Sequence, residues 1–146
     1  MRFLATIEMT SLPADVFAVL GDYQLDPRWR RGVLDMRPEP PGPPVAGMTT
    51  DEVIGFLGIT TRTPGEVTAV IPGVMLAWRA AGTRMVASGT RRVDPADGGA
   101  RVTLETEIRL QAGWRVVEPL LALIYGRQLR GDLARLKELV DDHGRR

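Results

Sequence analysis

The chain has 146 residues, 44% of them hydrophobic, and carries 19 basic and 18 acidic side chains. This length and composition fit one domain with a substantial core, which we place over residues 1–146. The balanced charge favours neither a nucleic-acid partner nor an anionic-membrane partner. The lack of cysteine excludes disulfides, thiolate metal sites and cysteine nucleophiles.

Two features bear on where the protein works. Residues 1–8 lack the apolar run of a signal peptide, and no window approaches the roughly 18 to 20 apolar residues of a membrane span. We therefore expect a cytoplasmic protein with no membrane insertion. Lys137 is the only lysine among many arginines, a bias that we attribute to a GC-rich bacterial genome rather than to a binding surface.

The N-terminal part predicts one strand and two short helices. Residues 3–10 alternate apolar and polar side chains, as a strand does. Pro13 suits the first turn of a short helix that Gly21 ends. A second short helix is predicted over 26–31, with Asp26 as its N-cap.

The middle of the chain predicts further strands. A strand from Val33 to Arg37 precedes Pro38–Pro44, a proline-rich segment that predicts a stiff surface loop because proline lacks the donors of a central strand. Strand-like segments joined by brief turns then follow at 48–57, 58–71, 74–82, 83–93 and 100–111. Connections this short favour antiparallel neighbours.

The last third predicts one long helix from Trp114 to Asp142. Leu129, Leu133 and Leu136 recur on one side of it, and the stretch 120–125 is apolar all round. Strands followed by helices on one face give an α+β domain. We predict a curved antiparallel sheet of about six to seven strands wrapped around this helix, with two short helices after the first strand.

Four segments carry a family resemblance: 13–20, Asp22 followed by Pro27-Arg28-Trp29, Gly98–Val102, and Leu129–Lys137. Together they resemble the START-like superfamily, also called SRPBCC or helix-grip proteins, and in particular its polyketide cyclase/dehydrase-like branch. The resemblance covers nearly the whole chain. It implies a helix-grip fold with a deep ligand cavity between the sheet and the C-terminal helix, and it implies no particular catalytic residue.

Motifs for metal or cofactor chemistry are sparse. The only histidine, His143, lies in the polar tail 141–146, so neither a Ser-His-Asp constellation nor a histidine metal site can be built. The segment Asp94–Gly98 matches turn chemistry better than a calcium loop. No glycine-rich phosphate motif stands between a strand and a helix. We expect neither a metal nor a cofactor.

Aromatic residues are candidates for lining the cavity. Trp29 lies in the second short helix, where the resemblance places the cavity mouth, and it could stack on a flat ligand or cap the core. Tyr23 lies in the same connection. Trp78 should point inward because Arg79 should point to water. It could form the cavity floor or plain core, and we favour core.

Two charged residues fall on predicted inner faces. Arg91 shares a face with Val93, and an inward arginine needs a carboxylate, a carbonyl, water or a polar ligand. It could orient a ligand carbonyl, although we favour its escape to solvent at the strand end. Glu52 is either a cavity carboxylate or the partner of an arginine on a neighbouring strand.

Small residues in the long helix suggest space. Ala122 and Gly126 fall on the side that continues the leucine stripe, and glycine inside a helix costs about 1 kcal/mol relative to alanine. They leave room for a ligand or for close approach of a strand, and we favour the ligand. Tyr125 lies beside them and could present its hydroxyl to the cavity.

These features predict binding of a small hydrophobic molecule: a polyketide intermediate, a lipid such as a fatty acyl chain, or an aromatic metabolite. The alternative is a polyketide cyclase, aromatase or dehydratase, which holds a poly-carbonyl chain while one or two polar groups assist enolisation. Arg91, Glu52, Tyr125 and Tyr23 would be those groups. A third hypothesis is a structural role with a cavity under about 300 Å³. The sequence leaves open whether the chain is an enzyme and whether it forms a homodimer.

Overall fold

The computed structural model describes residues 1–145. In chain order these form β1 Arg2–Met9, α1 Pro13–Leu20, a 3-10 helix Tyr23–Leu25, α2 Asp26–Trp29, β2 Val33–Glu39, β3 Thr49–Phe56, β4 Ile59–Ile71, β5 Met75–Ala81, β6 Met85–Ala96, β7 Gly99–Leu110, a 3-10 helix Ala112–Val117 and α3 Glu118–Gly144.

The strands form one seven-stranded antiparallel sheet in the order β1-β7-β6-β5-β4-β3-β2. From β2 to β7 each strand pairs with its neighbours in sequence, as short turns require, and β1 adds to β7. The sheet curves around α3, which buries Leu129, Leu133 and Leu136. These features confirm the predicted α+β helix-grip architecture.

The strand register gathers several connections at one end of the sheet. Leu110 at the end of β7 pairs with Met85 at the start of β6, and Phe56 pairs with Ile59 across the β3–β4 turn. β1 begins beside the last residues of β7. The β3–β4 turn, the β5–β6 turn and the connection from β7 to α3 therefore lie at the same end.

Two strands run further than predicted. β2 continues through Pro38 to Glu39, so the prediction that the proline loop starts at Pro38 is wrong. β2 is an edge strand, and an edge tolerates a proline because its missing N–H needs no partner. β6 continues to Ala96, which confines the next turn to Asp97 and Gly98, where Gly98 has a φ of 76°.

Two helix starts also differ from prediction. α3 begins at Glu118, and Trp114 lies in the preceding 3-10 helix. Asp26 is not an N-cap, because it is the first residue of α2 and its side chain makes no capping bond. Within residues 1–145 no helix has the length and apolarity needed to cross a membrane.

Candidate ligand-binding site

A cavity of about 440 Å³ lies between the inner face of the sheet and α3. Small-molecule sites usually measure about 300–1,000 Å³, so the hypothesis that side chains fill this interior is not supported. Much of the wall is apolar and includes Phe3, Val33, Ile54, Phe56, Leu104 and Leu121. Ile59 and Trp114 line the cavity and are also exposed to solvent. Its mouth therefore opens at the end of the sheet where the turns gather.

Two tryptophans contribute to the wall. Trp78 of β5 lines the cavity and pairs across the sheet with Gly89 of β6. A Cβ at Gly89 would lie 2.9 Å from Trp78 Cζ2, so the indole packs where only glycine leaves room. Trp29 is buried and also lines the cavity.

Arg91 is buried and lines the cavity. Its Nη1 and Nη2 donate to Asp26 Oδ1 and Oδ2 at 2.9 and 2.6 Å, and Nη1 also donates to the Leu20 carbonyl at 2.9 Å. The expected escape to solvent is therefore wrong, since Arg91 is only 5% exposed. Burial lowers the pKa of Arg91, but Asp26 and Tyr23 outweigh burial and raise it above its usual value.

Two aromatic rings flank this guanidinium. Arg91 Cζ lies 4.5 Å from the ring centroid of Tyr23 and 5.2 Å from that of Trp29, within the range of cation–π attraction. The Tyr23 hydroxyl and Trp29 Nε1 are buried without a hydrogen-bond partner in residues 1–145. Burial raises the pKa of Tyr23. Contrary to expectation, Tyr23 does not line the cavity, because its ring lies against the Arg91 guanidinium instead.

Arg30 links Asp26 to Glu52. Its Nη1 donates to Asp26 Oδ2 at 3.0 Å and to Glu52 Oε1 at 2.5 Å. Glu52 thus pairs with an arginine, as one hypothesis held, but the arginine follows α2 rather than lying on a neighbouring strand, and Glu52 does not line the cavity. We call Asp26, Arg30, Glu52 and Arg91 the buried ion cluster.

Arg30 also faces the cavity. It lines the wall, and its Nε and Nη2 make no hydrogen bond within residues 1–145. Burial lowers the pKa of Arg30, but Glu52 and Asp26 outweigh burial and raise it above its usual value. Arg30 is therefore a permanent cation with donors available to a ligand oxygen.

α3 supplies the opposite wall through Leu121, Tyr125, Gln128, Leu129 and Asp132. Burial raises the pKa of the Tyr125 phenol, while Arg30 and the Thr106 hydroxyl oppose the rise. The Tyr125 ring also packs against Phe3, with 4.6 Å between centroids. The Tyr125 phenol is therefore held neutral in the cavity wall.

Asp132 adds a carboxyl group to this wall. Its Oδ1 accepts a hydrogen bond from the Arg31 backbone N–H at 3.1 Å and another from the Arg135 guanidinium. Burial raises the pKa of Asp132, and these two partners oppose the rise. A carboxyl group with a raised pKa is able to exchange a proton with a ligand.

Ala122 and Gly126 do not line the cavity, contrary to expectation. A Cβ on Gly126 would meet only Arg130 Nη1, at 3.9 Å. From Leu129 towards the N-terminus, the cavity face follows steps of four residues to Tyr125 and Leu121. The expected path through Gly126 to Ala122 began with a step of three, which leads to an adjacent side of the helix.

Sequence reasoning missed the inward roles of Asp26, Arg30 and Asp132. Asp26 precedes a proline and so has the pattern of a helix cap. A signal for Asp132 was present, because it lies three residues after Leu129 and next to Leu133 inside the apolar stripe. In residues 1–145 no three His, Cys, Asp or Glu side chains come together as a metal ion would require.

A curved sheet gripping a long helix around an internal cavity defines a helix-grip protein of the START-like class. The chain belongs to the family described as polyketide cyclase / dehydrase and lipid transport, whose model matches residues 2–141. A comparison with curated protein sequences finds no match.

Several solved structures share the fold. TTHA0849 from Thermus thermophilus is 16% identical with a TM-score of 0.84, over 98% of this chain and 99% of that one. The Zhui aromatase/cyclase from Streptomyces sp. R1128 is 13% identical with a TM-score of 0.82, over 97% and 93%. The di-domain aromatase/cyclase StfQ of the steffimycin pathway is 12% identical with a TM-score of 0.79, over 98% of this chain and 51% of that one.

Proposed function

We propose that the protein binds a small, mainly apolar and uncharged molecule that carries a carbonyl oxygen. The observation behind this proposal is the state of Arg30, whose Nε and Nη2 are unpaired within residues 1–145 while its charge is already balanced. The apolar wall favours the body of such a ligand, and Arg30 provides donors for its oxygen.

The charges around the cavity argue for a neutral ligand. Asp26 and Glu52 balance Arg30 and Arg91 in the buried ion cluster, and Arg135 balances Asp132. Beside Arg30, in the buried part of the cavity, a ligand carboxylate would add an uncompensated negative charge, which is costly. Arg84, which forms no ion pair within residues 1–145, lines the cavity only at its exposed mouth. A ketone, ester or thioester oxygen accepts from Arg30 without adding charge.

Catalysis of a cyclisation or dehydration is the second candidate. It is favoured by Arg30, Tyr125 and Asp132 lining one cavity, with burial raising the pKa of both acids. Arg30 would polarise a carbonyl, and Asp132 would move the proton that enolisation requires. The family description and the aromatase/cyclase neighbours support both candidates.

Competition with an apolar fluorescent probe tests the ligand class. We expect methyl decanoate to displace the probe at concentrations at least about tenfold lower than decanoate does at neutral pH, and native mass spectrometry to detect a neutral apolar molecule that copurifies. Binding of the acid as tightly as the ester would contradict the uncharged head group. Binding of neither, with no copurifying molecule, would contradict the carrier function.

Substitution of Arg30 tests the anchor. Arg30→Lys keeps the positive charge beside Asp26 and Glu52 but removes the free guanidinium donors. A hydrogen bond to a charged donor contributes about 1.5–3 kcal/mol, so we expect ester affinity to fall about tenfold or more. Arg28→Lys, on the exposed side of α2, is the matched control and should leave the affinity unchanged.

A further inference from the structure

Exposed apolar side chains from separate elements lie at the end of the sheet where the cavity opens. They are Leu57 and Ile59 at the β3–β4 turn, Trp114 and Val116 in the 3-10 helix, and Leu120 and Leu123 in the first turns of α3. Val116 is 83% exposed. Together with Arg84, Arg115 and Arg127 we call these residues the mouth surface. Exposed apolar groups gathered in one place mark an interaction site more often than scattered ones do.

Leu57 adopts a backbone conformation that leucine disfavours. Its φ is 51° and that of Gly58 is 78°, a pair of values that hairpin turns usually fill with Asn-Gly. A leucine is strained there, and its side chain is 66% exposed. The turn therefore presents an apolar tip to solvent although a polar residue would fit the backbone better.

The arginines of the mouth surface have no carboxylate partner among the residues that the structure describes. Arg84, Arg115 and Arg127 form no ion pair within residues 1–145, and Arg84 stacks over Trp114 with its Cζ 4.7 Å from the ring centroid. Arg127 lines a shallow groove together with Leu57. Glu118, the acid at the start of α3, lies 3.9 Å from the N-terminal ammonium of Met1. This end of the molecule is therefore both apolar and positively charged.

We propose that the mouth surface docks the protein onto an anionic lipid bilayer. Apolar tips flanked by arginines match the layered chemistry of a lipid interface, where apolar groups reach the acyl boundary and cations meet anionic headgroups. Docking sets the cavity mouth against the bilayer, so an apolar molecule passes between them without crossing water. Ile59, Arg84 and Trp114 also line the cavity at its mouth, whereas Val116, Leu120, Arg115 and Arg127 do not line it. Substitutions at these last four residues therefore test docking apart from the ligand contacts, and docking does not depend on the identity of the ligand.

A second copy of the chain is a poorer occupant. A two-fold interface places the same patch on both subunits, so the unpaired arginines of one mouth surface would meet those of the other. Like charges brought together at an interface disfavour association. A bilayer also accepts protruding tips without needing a complementary shape.

Cosedimentation with vesicles tests the docking. We expect the wild type to sediment with phosphatidylcholine vesicles that contain phosphatidylglycerol, less with phosphatidylcholine alone, and less at high salt. The pair Val116→Ser/Leu120→Ser should weaken binding about tenfold or more, since both side chains point to solvent and neither lines the cavity. Arg115→Gln/Arg127→Gln should remove most of the preference for phosphatidylglycerol.

The controls are matched residue for residue. Leu4→Ser/Val45→Ser removes one leucine and one valine that are exposed elsewhere, and Arg28→Gln/Lys137→Gln removes two exposed cations elsewhere. Both should bind vesicles like the wild type. Equal losses in these controls, or no sedimentation of the wild type with phosphatidylglycerol vesicles, would overturn the proposal. Light scattering that shows a dimer which Val116→Ser/Leu120→Ser converts to a monomer would assign the surface to a second copy and also overturn it.

Discussion

Arg91 of β6 and Asp26 of α2 lie 65 positions apart in the chain and form two buried hydrogen bonds, of 2.9 and 2.6 Å. Asp26 has no solvent exposure and also accepts from Arg30. The same carboxylate therefore holds α2 to the middle of the sheet and orients Arg30 and Arg91, which both line the cavity. Folding and the proposed recognition of the ligand therefore both depend on Asp26.

Replacement of Asp26 by asparagine should be strongly destabilising. Asp26→Asn keeps the shape of the side chain but leaves Arg91 buried without its counter-charge. Breaking a buried ion pair costs about 3–5 kcal/mol, and we expect a loss of that size in the free energy of unfolding measured with urea. Asp35→Asn, in an exposed pair with Arg37, should lose less than about 1 kcal/mol. Similar losses in the two variants would contradict the role of the cluster.

The stability contribution of Asp132 should depend on pH. Because burial raises its pKa in the folded state, the folded protein binds a proton at Asp132 more tightly than the unfolded chain does. Stability from this group is therefore present below the unfolded pKa of about 4 and is lost as pH rises through the folded pKa. The free energy of unfolding of the wild type minus that of Asp132→Asn should fall in urea titrations as the pH rises above about 4. A difference that rises with pH would contradict this assignment.

Addition of a methyl group at Gly89 should disturb the cavity wall. A Cβ there would lie 2.9 Å from Trp78 Cζ2 and closer still to the Glu105 backbone oxygen. We expect Gly89→Ala to lower the free energy of unfolding by about 1–3 kcal/mol and to weaken probe binding, because Trp78 must move. Gly113→Ala is the control, since a Cβ there would meet nothing within 4 Å and Gly113 does not line the cavity. Equal effects would show that Trp78 is not held by Gly89.

Substitution of Leu57 should separate stability from docking. Leu57→Asn suits the positive φ of the turn, so we expect a gain of roughly 0.5–1 kcal/mol in the free energy of unfolding. Vesicle binding should weaken in the same variant, because an apolar tip is lost. Val45→Asn, at another exposed site, should change stability by less than about 0.5 kcal/mol. A variant that gains stability and keeps full vesicle binding would exclude Leu57 from the mouth surface.

The parts of the fold that depend on local periodicity were predictable. β7 alternates buried and exposed residues along most of its length, and the stripe of Leu129, Leu133 and Leu136 faces the core. The helix-grip arrangement itself followed from the family resemblance as much as from the pattern. Periodicity assigns a residue to one side of an element, which explains why the inward side of Arg91 was predicted correctly.

The partners of inward residues were not predictable, because they are distant in sequence. Arg91 stays buried because it pairs with Asp26, whose neighbours in the sequence resemble those of a helix cap. The register of α3 shows a similar limit: a step of three or of four from Leu129 selects Gly126 or Tyr125, and the pattern alone does not choose between them. The net charge of the chain also gave no indication of the mouth surface. Nearly equal numbers of acidic and basic residues do not show where unpaired arginines lie in the fold.

Because Asp26 pairs with both Arg30 and Arg91, one wall of the cavity has little freedom to change during evolution. A substitution at Arg30 or Arg91 that altered ligand preference would also leave a buried carboxylate without its counter-charge. The facing helix carries no such restraint at Leu121, Tyr125 and Gln128, which line the cavity outside the buried ion cluster. Substitutions that change the proposed ligand among descendants of this protein are therefore expected to accumulate on α3, while the cavity residues of the sheet and α2 stay constant.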